Sequence, residues 1–148
     1  ASISHNRRFE RGNWSTSLIW GRNNEEHGQS RFHLNGYTAE STVNFLDHNY
    51  LYTRLELADK NTLLSLQDRQ QLGIADHHPH FRIGAYTFGG ARDIWNTERL
   101  SVALGADVTF YSKPAALDPL YGNNPASYHF FIRLRPSSMK MSGHAGHE

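Results

Sequence analysis

The stretch "YLYTRLELADK", residues 50–60, alternates apolar and polar side chains almost without error. Leu51, Thr53, Leu55 and Leu57 fall on one side of an extended chain, and Tyr52, Arg54, Glu56 and Ala58 fall on the other. Successive side chains of a strand point to opposite faces, so a period of two specifies a two-sided β-strand and not a helix. The fold turns on what the leucines meet. Leucines packed into a core would make a soluble sandwich or barrel. Leucines turned to lipid would make the wall of a membrane barrel with a wet, charged interior.

The same period recurs along the chain. Glycine, proline and polar breaks divide it into about seven extended segments, at 1–9, 13–22, 30–45, 50–60, 80–91, 99–112 and 127–136. In "RLSVALGADVTFYS", Val102, Leu104, Ala106, Val108 and Phe110 oppose Ser101, Ala103, Gly105, Asp107 and Thr109. In "SYHFFIRLRP", Tyr128, Phe130, Ile132 and Leu134 oppose Ser127, His129, Phe131 and Arg133. Tyr37, Ala39, Ser41, Val43 and Phe45 form a third stripe, to which Phe32 and Leu34 have the wrong parity. That mismatch predicts a bulge near Asn35-Gly36 or a strand end beyond the membrane. One helix is expected, inside the connection "NTLLSLQDRQQLGIA".

Composition excludes several classes. The chain has 148 residues, enough for one domain with a sizeable core, and no cysteine, so disulfide scaffolds, thiolate metal sites and cysteine nucleophiles are absent. Its net charge is +1, with the fifteen Lys and Arg scattered; no basic stripe points to nucleic acid. Mean hydropathy is −0.64, and no apolar run approaches the ~20 residues of a membrane helix. A membrane barrel remains compatible, because lipid-facing and lumen-facing residues alternate and average out. The start, "ASISHNRRFERG", carries no charged-then-apolar signal. A leader already removed, or a longer chain, is the expectation.

Three features favour lipid outside. Aromatic residues crowd the segment ends (Trp14, Trp20, Tyr37, Phe45, Tyr50, Phe110, Tyr111 and Tyr128), as in the aromatic girdles of membrane interfaces. The apolar stripes carry no charge across their middle, where a charge costs roughly 2–4 kcal/mol. The opposite face mixes Ser, Thr, Gly and Tyr with isolated charges. The connections agree, being short in "ERGN", "LDHN" and "RDIWNTE" and longer in "NNEEHGQ", residues 61–79 and "KPAALDPLYGNNPA". Short turns on one rim and long loops on the other are the habit of outer-membrane barrels.

With these residues in view, "NWSTSLIWGRN", "ESTVNFLDHNYLYTRLEL", "FRIGAYTFGG" and "LGADVTFYSKPAALDPLYGNNPASYHFFIRLRP" resemble stretches of poorly characterised outer-membrane β-barrel proteins of Gram-negative bacteria. The resemblance covers most of residues 1–136 and implies the C-terminal part of such a barrel. The usual closing strand of that class ends at the C-terminus on an aromatic residue, whereas "SYHFFIRLRP" continues into a polar tail.

The expected fold is an all-β, antiparallel up-and-down transmembrane β-barrel, with residues 1–136 as wall and 137–148 as a flexible Met/His tail. Single-chain bacterial barrels have an even number of strands, so seven imply missing N-terminal strands or oligomer partners. Leu51, Leu55, Leu57, Val102, Leu104, Val108, Phe110, Phe130 and Ile132 are expected to face outer-membrane lipid. Glu40, Arg54, Glu56, Arg82, Asp107 and Arg133 are expected to line the lumen, pairing across strands in a small barrel or meeting small solutes in a wide one.

Ten histidines invite a metal reading. "HHPH" holds His77, His78 and His80, and the tail joins Met139, Met141, His144 and His147, a thioether–imidazole set suited to loose copper capture. No cofactor is otherwise expected. Function is accordingly expected to be porin-like or structural, without catalysis. The runner-up is a soluble β-barrel or sandwich binding a small ligand. The third reading is a lipid-acting barrel esterase, built on Ser127 and His129 with Glu40, Glu56 or Asp107 as orienting acid.

Overall fold

The computed structural model describes residues 1–27, 30–76 and 79–136. These residues form seven strands: β1 (Ser2–Phe9), β2 (Gly12–His27), β3 (Ser30–Phe45), β4 (Asn49–Lys60), β5 (Phe81–Asn96), β6 (Leu100–Ser112) and β7 (Ala126–Pro136). Every strand pairs antiparallel with its neighbour in sequence, giving one open sheet in the order β1-β2-β3-β4-β5-β6-β7. Up-and-down order needs only hairpins, and the turn chemistry supplies them. At the β3–β4 turn Leu46 (φ 51) and Asp47 (φ 64) enter the left-handed region. The strain there is offset by Arg11 Nε, 3.2 Å from Asp47 Oδ2 on the neighbouring turn, and by Asn49 Nδ2 donating to the Phe45 carbonyl.

Register decides the faces. Leu55 sits between Ala39 and Tyr86, and the same row runs on through Leu18 and Phe110. All nine residues expected to face lipid, from Leu51 to Ile132, lie on this one face. Seven of them are exposed there, Phe130 at 85% and Leu51 at 56%, while Val102 and Val108 are half-buried. The apolar residues that are buried are few: Leu34, Ala91, Ala103 and Leu117. The leucines that opened the question therefore do not pack into a core.

The sheet curls toward the other face. Strands three apart in a flat sheet lie about 14 Å from one another at ~4.8 Å spacing. Yet Arg135 of β7 donates to the Tyr50 hydroxyl of β4 at 2.6 Å. Tyr50 lies in the row of Phe131, so Arg135 is also four residues further along β7, and a sheet concave on the polar side brings those groups together.

Several expectations change. The β2–β3 register runs unbroken from His27↔Ser30 to Gly12↔Phe45, so no bulge stands at Asn35-Gly36. Phe32 and Leu34 instead belong to a strand extension, where Phe32 stacks on His80 at 4.7 Å and Leu34 is buried. The extension also absorbs most of "NNEEHGQ": β2 reaches His27 and β3 begins at Ser30, so this connection is short, not long. The bulge lies elsewhere, between Asp93 and Trp95, and carries β5 on to Asn96 through residues expected to be a link. The expected helix forms within its connection as α1 (Leu66–Gln71), where Ser65 and Asp68 make a reciprocal capping box. Hydrogen bonds from Ser65 hold the Asp68 carboxyl below the usual carboxylate range.

The two long connections, at residues 61–80 and 113–125, share one rim. The second begins with an ion pair between Lys113 and Asp118 and buries Leu117. Tyr121 Oη donates to the Leu63 carbonyl at 3.2 Å, joining the two loops.

Candidate functional site

The chemistry of this chain gathers on the concave face of β4–β7, in rows set by register. One row reads Tyr52–Gly89–Asp107–His129. Gly89 has no side chain, so the Tyr52 ring lies across it and Tyr52 Oη donates to Asp107 Oδ2 at 2.8 Å. A Cβ at residue 89 would stand 2.4 Å from that ring. From the other side His129 Nδ1 meets Asp107 Oδ1 at 2.8 Å. Asp107 is thus held between a phenol and an imidazole.

Two residues toward the turn rim lies a second cluster. Asp93 faces inward in phase with Gly89 and Ala91, just before the bulge, with its side chain 1% exposed. Arg135 Nη2 approaches its Oδ2 at 2.5 Å and Arg133 Nη2 its Oδ1 at 3.4 Å. Tyr50 Oη donates to Asp93 Oδ2 at 3.3 Å. Both guanidinium groups also lie over the Tyr50 ring, at 4.3 Å and 5.2 Å from its centroid. A carboxylate this deeply buried is tolerable only with such partners, since an unpaired buried charge costs several kcal/mol. Small Ala103, between Asp93 and Arg133 in the register, leaves room for the contact.

A third group lies nearer the long-loop rim. Arg54 bridges Glu40 at 3.3 Å and Glu56 at 3.0 Å. In the row of Arg54 the hydroxyls of Thr87 and Thr109 meet at 2.8 Å. β1 and β2 offer this face mostly small polar groups, among them Ser4, Asn6, Asn13, Ser15 and Ser17, with Arg8 and Ile19 as the larger exceptions.

Five of the six charges expected on one face share it: Glu40, Arg54, Glu56, Asp107 and Arg133. Arg82 does not. It pairs in register with Asp59, in line with Leu57 and Leu55, so it belongs to the convex face, where its Nε stands 2.9 Å from Asp59 Oδ1. The β4–β5 register is unbroken here, and residue 82 counted as lumen-facing only while β5 was read apart from its partner. Two aromatics assigned to the girdle also turn inward, Tyr50 and Tyr111, in the rows of Ala91 and Ala85.

Sequence reasoning missed Asp93, Arg135, Tyr50 and Tyr52 as network members. Arg135 shares the parity of His129 and Arg133, a signal that was available. Asp93 was hidden because "RDIWNTE" reads as a turn. Of the esterase set, Asp107 and His129 do meet, but the Ser127 hydroxyl pairs with Tyr111 Oη at 3.1 Å. Among the described residues no three His, Asp or Glu side chains converge to hold a metal ion. His77 and His78 lie outside the described residues, as do Met139, Met141, His144 and His147. No family model, curated protein or solved structure matches the chain.

Proposed function

We propose that this chain is a wall of an integral outer-membrane β-barrel, porin-like or structural in role and without catalysis. The observation that carries the reading is the division of the sheet: a convex face of exposed Leu, Ile and aromatic residues, and a concave face rich in paired polar groups. A soluble monomer rarely leaves so large an apolar surface in water. In lipid that surface is covered and the concave side holds water and, in a wide enough barrel, small solutes.

Polar groups on the convex face support the reading, because hydrocarbon offers them no partners. Thr16 and Thr53 hydroxyls donate to the carbonyls of Glu40 and Thr87, each at 3.0 Å. Trp14 Nε1 donates to Ser41 Oγ at 2.8 Å. Each hydroxyl is thereby satisfied within the sheet.

The free edges of β1 and β7 complete the proposal. Neither edge can face hydrocarbon with its backbone groups unpaired. In an up-and-down sheet of seven, the first and last strands run in the same direction. Antiparallel closure therefore takes an odd number of further strands, from the same polypeptide or a partner. His5 and Arg7, on the convex side of β1, end the apolar band there and suit a protein neighbour better than lipid.

Charge insertion tests the assignment. Leu55→Arg and Val108→Arg each place a guanidinium in the hydrocarbon layer and are expected to destabilise the protein folded into vesicles by about 2–4 kcal/mol. Denaturant titration by tryptophan fluorescence reads the loss. Unchanged midpoints for both variants, or a protein that stays soluble and monodisperse without detergent, would favour the soluble barrel instead.

A further inference from the structure

The convex face is not uniform. Between the start of β1 and β5 it sinks into an apolar groove of about 580 Å³, floored by Ala39 and walled by Ile3, Leu18, Trp20, Leu57 and Tyr86. The depression follows from the register, which sets Ala39 between Leu18 and Leu55. Its size falls within the range of binding sites for small molecules. Two residues beyond Trp20, on the same face, the Arg22 guanidinium stands over the Trp20 ring at 5.5 Å. Arg22 Nε is fixed by Asn35 Oδ1 at 2.9 Å. Among the described residues no carboxylate pairs with it. The other arginine at this level, Arg82, is neutralised by Asp59. The groove thus ends, toward the long-loop rim, beside a positioned guanidinium with no carboxylate partner among the described residues.

We propose that this groove holds an acyl chain of an anionic, phosphate-bearing lipid, with Arg22 contacting the headgroup phosphate. The proposal rests on the membrane reading above and makes it specific. Apolar walls select a hydrocarbon chain, and the small Ala39 side chain gives it depth. A guanidinium pre-oriented by Asn35 and Trp20 suits an anionic oxygen at the chain's polar end. The occupant is a bound lipid with a defined seat, distinct from the surrounding bilayer.

The test uses the full chain, folded in detergent and incubated with equal amounts of phosphatidylglycerol and phosphatidylcholine, with retained lipid counted by native mass spectrometry. Wild type is expected to retain phosphatidylglycerol over phosphatidylcholine by about fivefold, the effect of one basic side chain near a membrane surface. Arg22→Gln should equalise the two lipids while keeping lipid bound. Ala39→Trp, which fills the floor, should abolish retention of both, and Ala39→Phe serves where the larger ring prevents folding; heat-modifiable gel mobility verifies that each variant is folded. Equal retention of the two lipids by wild type, or retention unchanged in a folded Ala39→Trp or Ala39→Phe protein, overturns the groove. A protein that inserts into vesicles yet retains no lipid overturns the groove alone. One that never inserts overturns the membrane reading with it.

Discussion

The concave face has two unlike halves. Across β4–β7, charged and aromatic side chains reach over small residues to partners two or three strands away, as Tyr52 reaches Asp107 and Arg135 reaches Tyr50. Across β1–β2 the same face carries serines and asparagines, and β1 is exposed along its whole length. The first half is self-satisfied: its ion pairs and hydroxyl contacts hold the curvature of the sheet. The second half shows no such long-range contacts among the described residues, although Arg8 and Ile19 also lie on it. In the proposed barrel its curvature would come from strands adjoining β1, so that edge is where a neighbour is required.

Three sets of substitutions sharpen that contrast, and the largest effect belongs to the Asp93 cluster. Replacing Arg133 and Arg135 together by Met strands a carboxylate that is 1% exposed. Stability should fall by about 3–5 kcal/mol. Adding Asp93→Asn should restore much of it, a coupling that a double-mutant cycle measures. Additive losses would mean that the cluster does not act as a unit.

The second comparison sets equal insertions in the two halves. Thr109, 6% exposed and bonded to Thr87, has no room for a larger side chain. Thr109→Arg should cost about 3 kcal/mol through overpacking and the lost hydroxyl contact. Ser15→Arg, on the same face of β2, should stay within about 0.5 kcal/mol of wild type. Equal costs in urea titrations would erase the distinction between the halves. Gly89→Ala is expected to cost less than Thr109→Arg. The added methyl would meet the Tyr52 ring at 2.4 Å and Asp107 Cβ at 2.7 Å, so displacing the ring from Asp107 and shifting β6 should cost about 1–2 kcal/mol.

Much of this was legible in the sequence, and the reasons are physical. A period of two survives any tertiary context in which the two faces meet different surroundings, so β4, β6 and β7 could be read nearly to the residue. The strand extension at 23–27 and 30–36 could not. Its residues are mostly polar, and no local pattern announces the contact of Phe32 with His80 or the burial of Leu34. The Asp93 bulge was equally hidden, because an extra residue shifts parity and mimics a turn. The charged site was half readable. Parity supplied Glu40, Arg54, Glu56, Asp107 and Arg133, whereas the partners of Asp107 and Asp93 depend on curvature, a property of the whole sheet. Arg82 was misassigned because its face follows from pairing with Asp59, which only register reveals.

The most direct measurement returns to β4. The chain has no cysteine, so single cysteines can be placed at positions 51 to 57 and spin-labelled without background. In vesicles, power saturation with oxygen and with a water-soluble nickel chelate compares lipid and aqueous exposure at each site. Labels at 51, 53, 55 and 57 should favour oxygen, and those at 52, 54 and 56 should favour the chelate, alternating with a period of two. The same phase reversed, with the leucine positions meeting the chelate, or no alternation at all, would contradict a convex face turned to lipid.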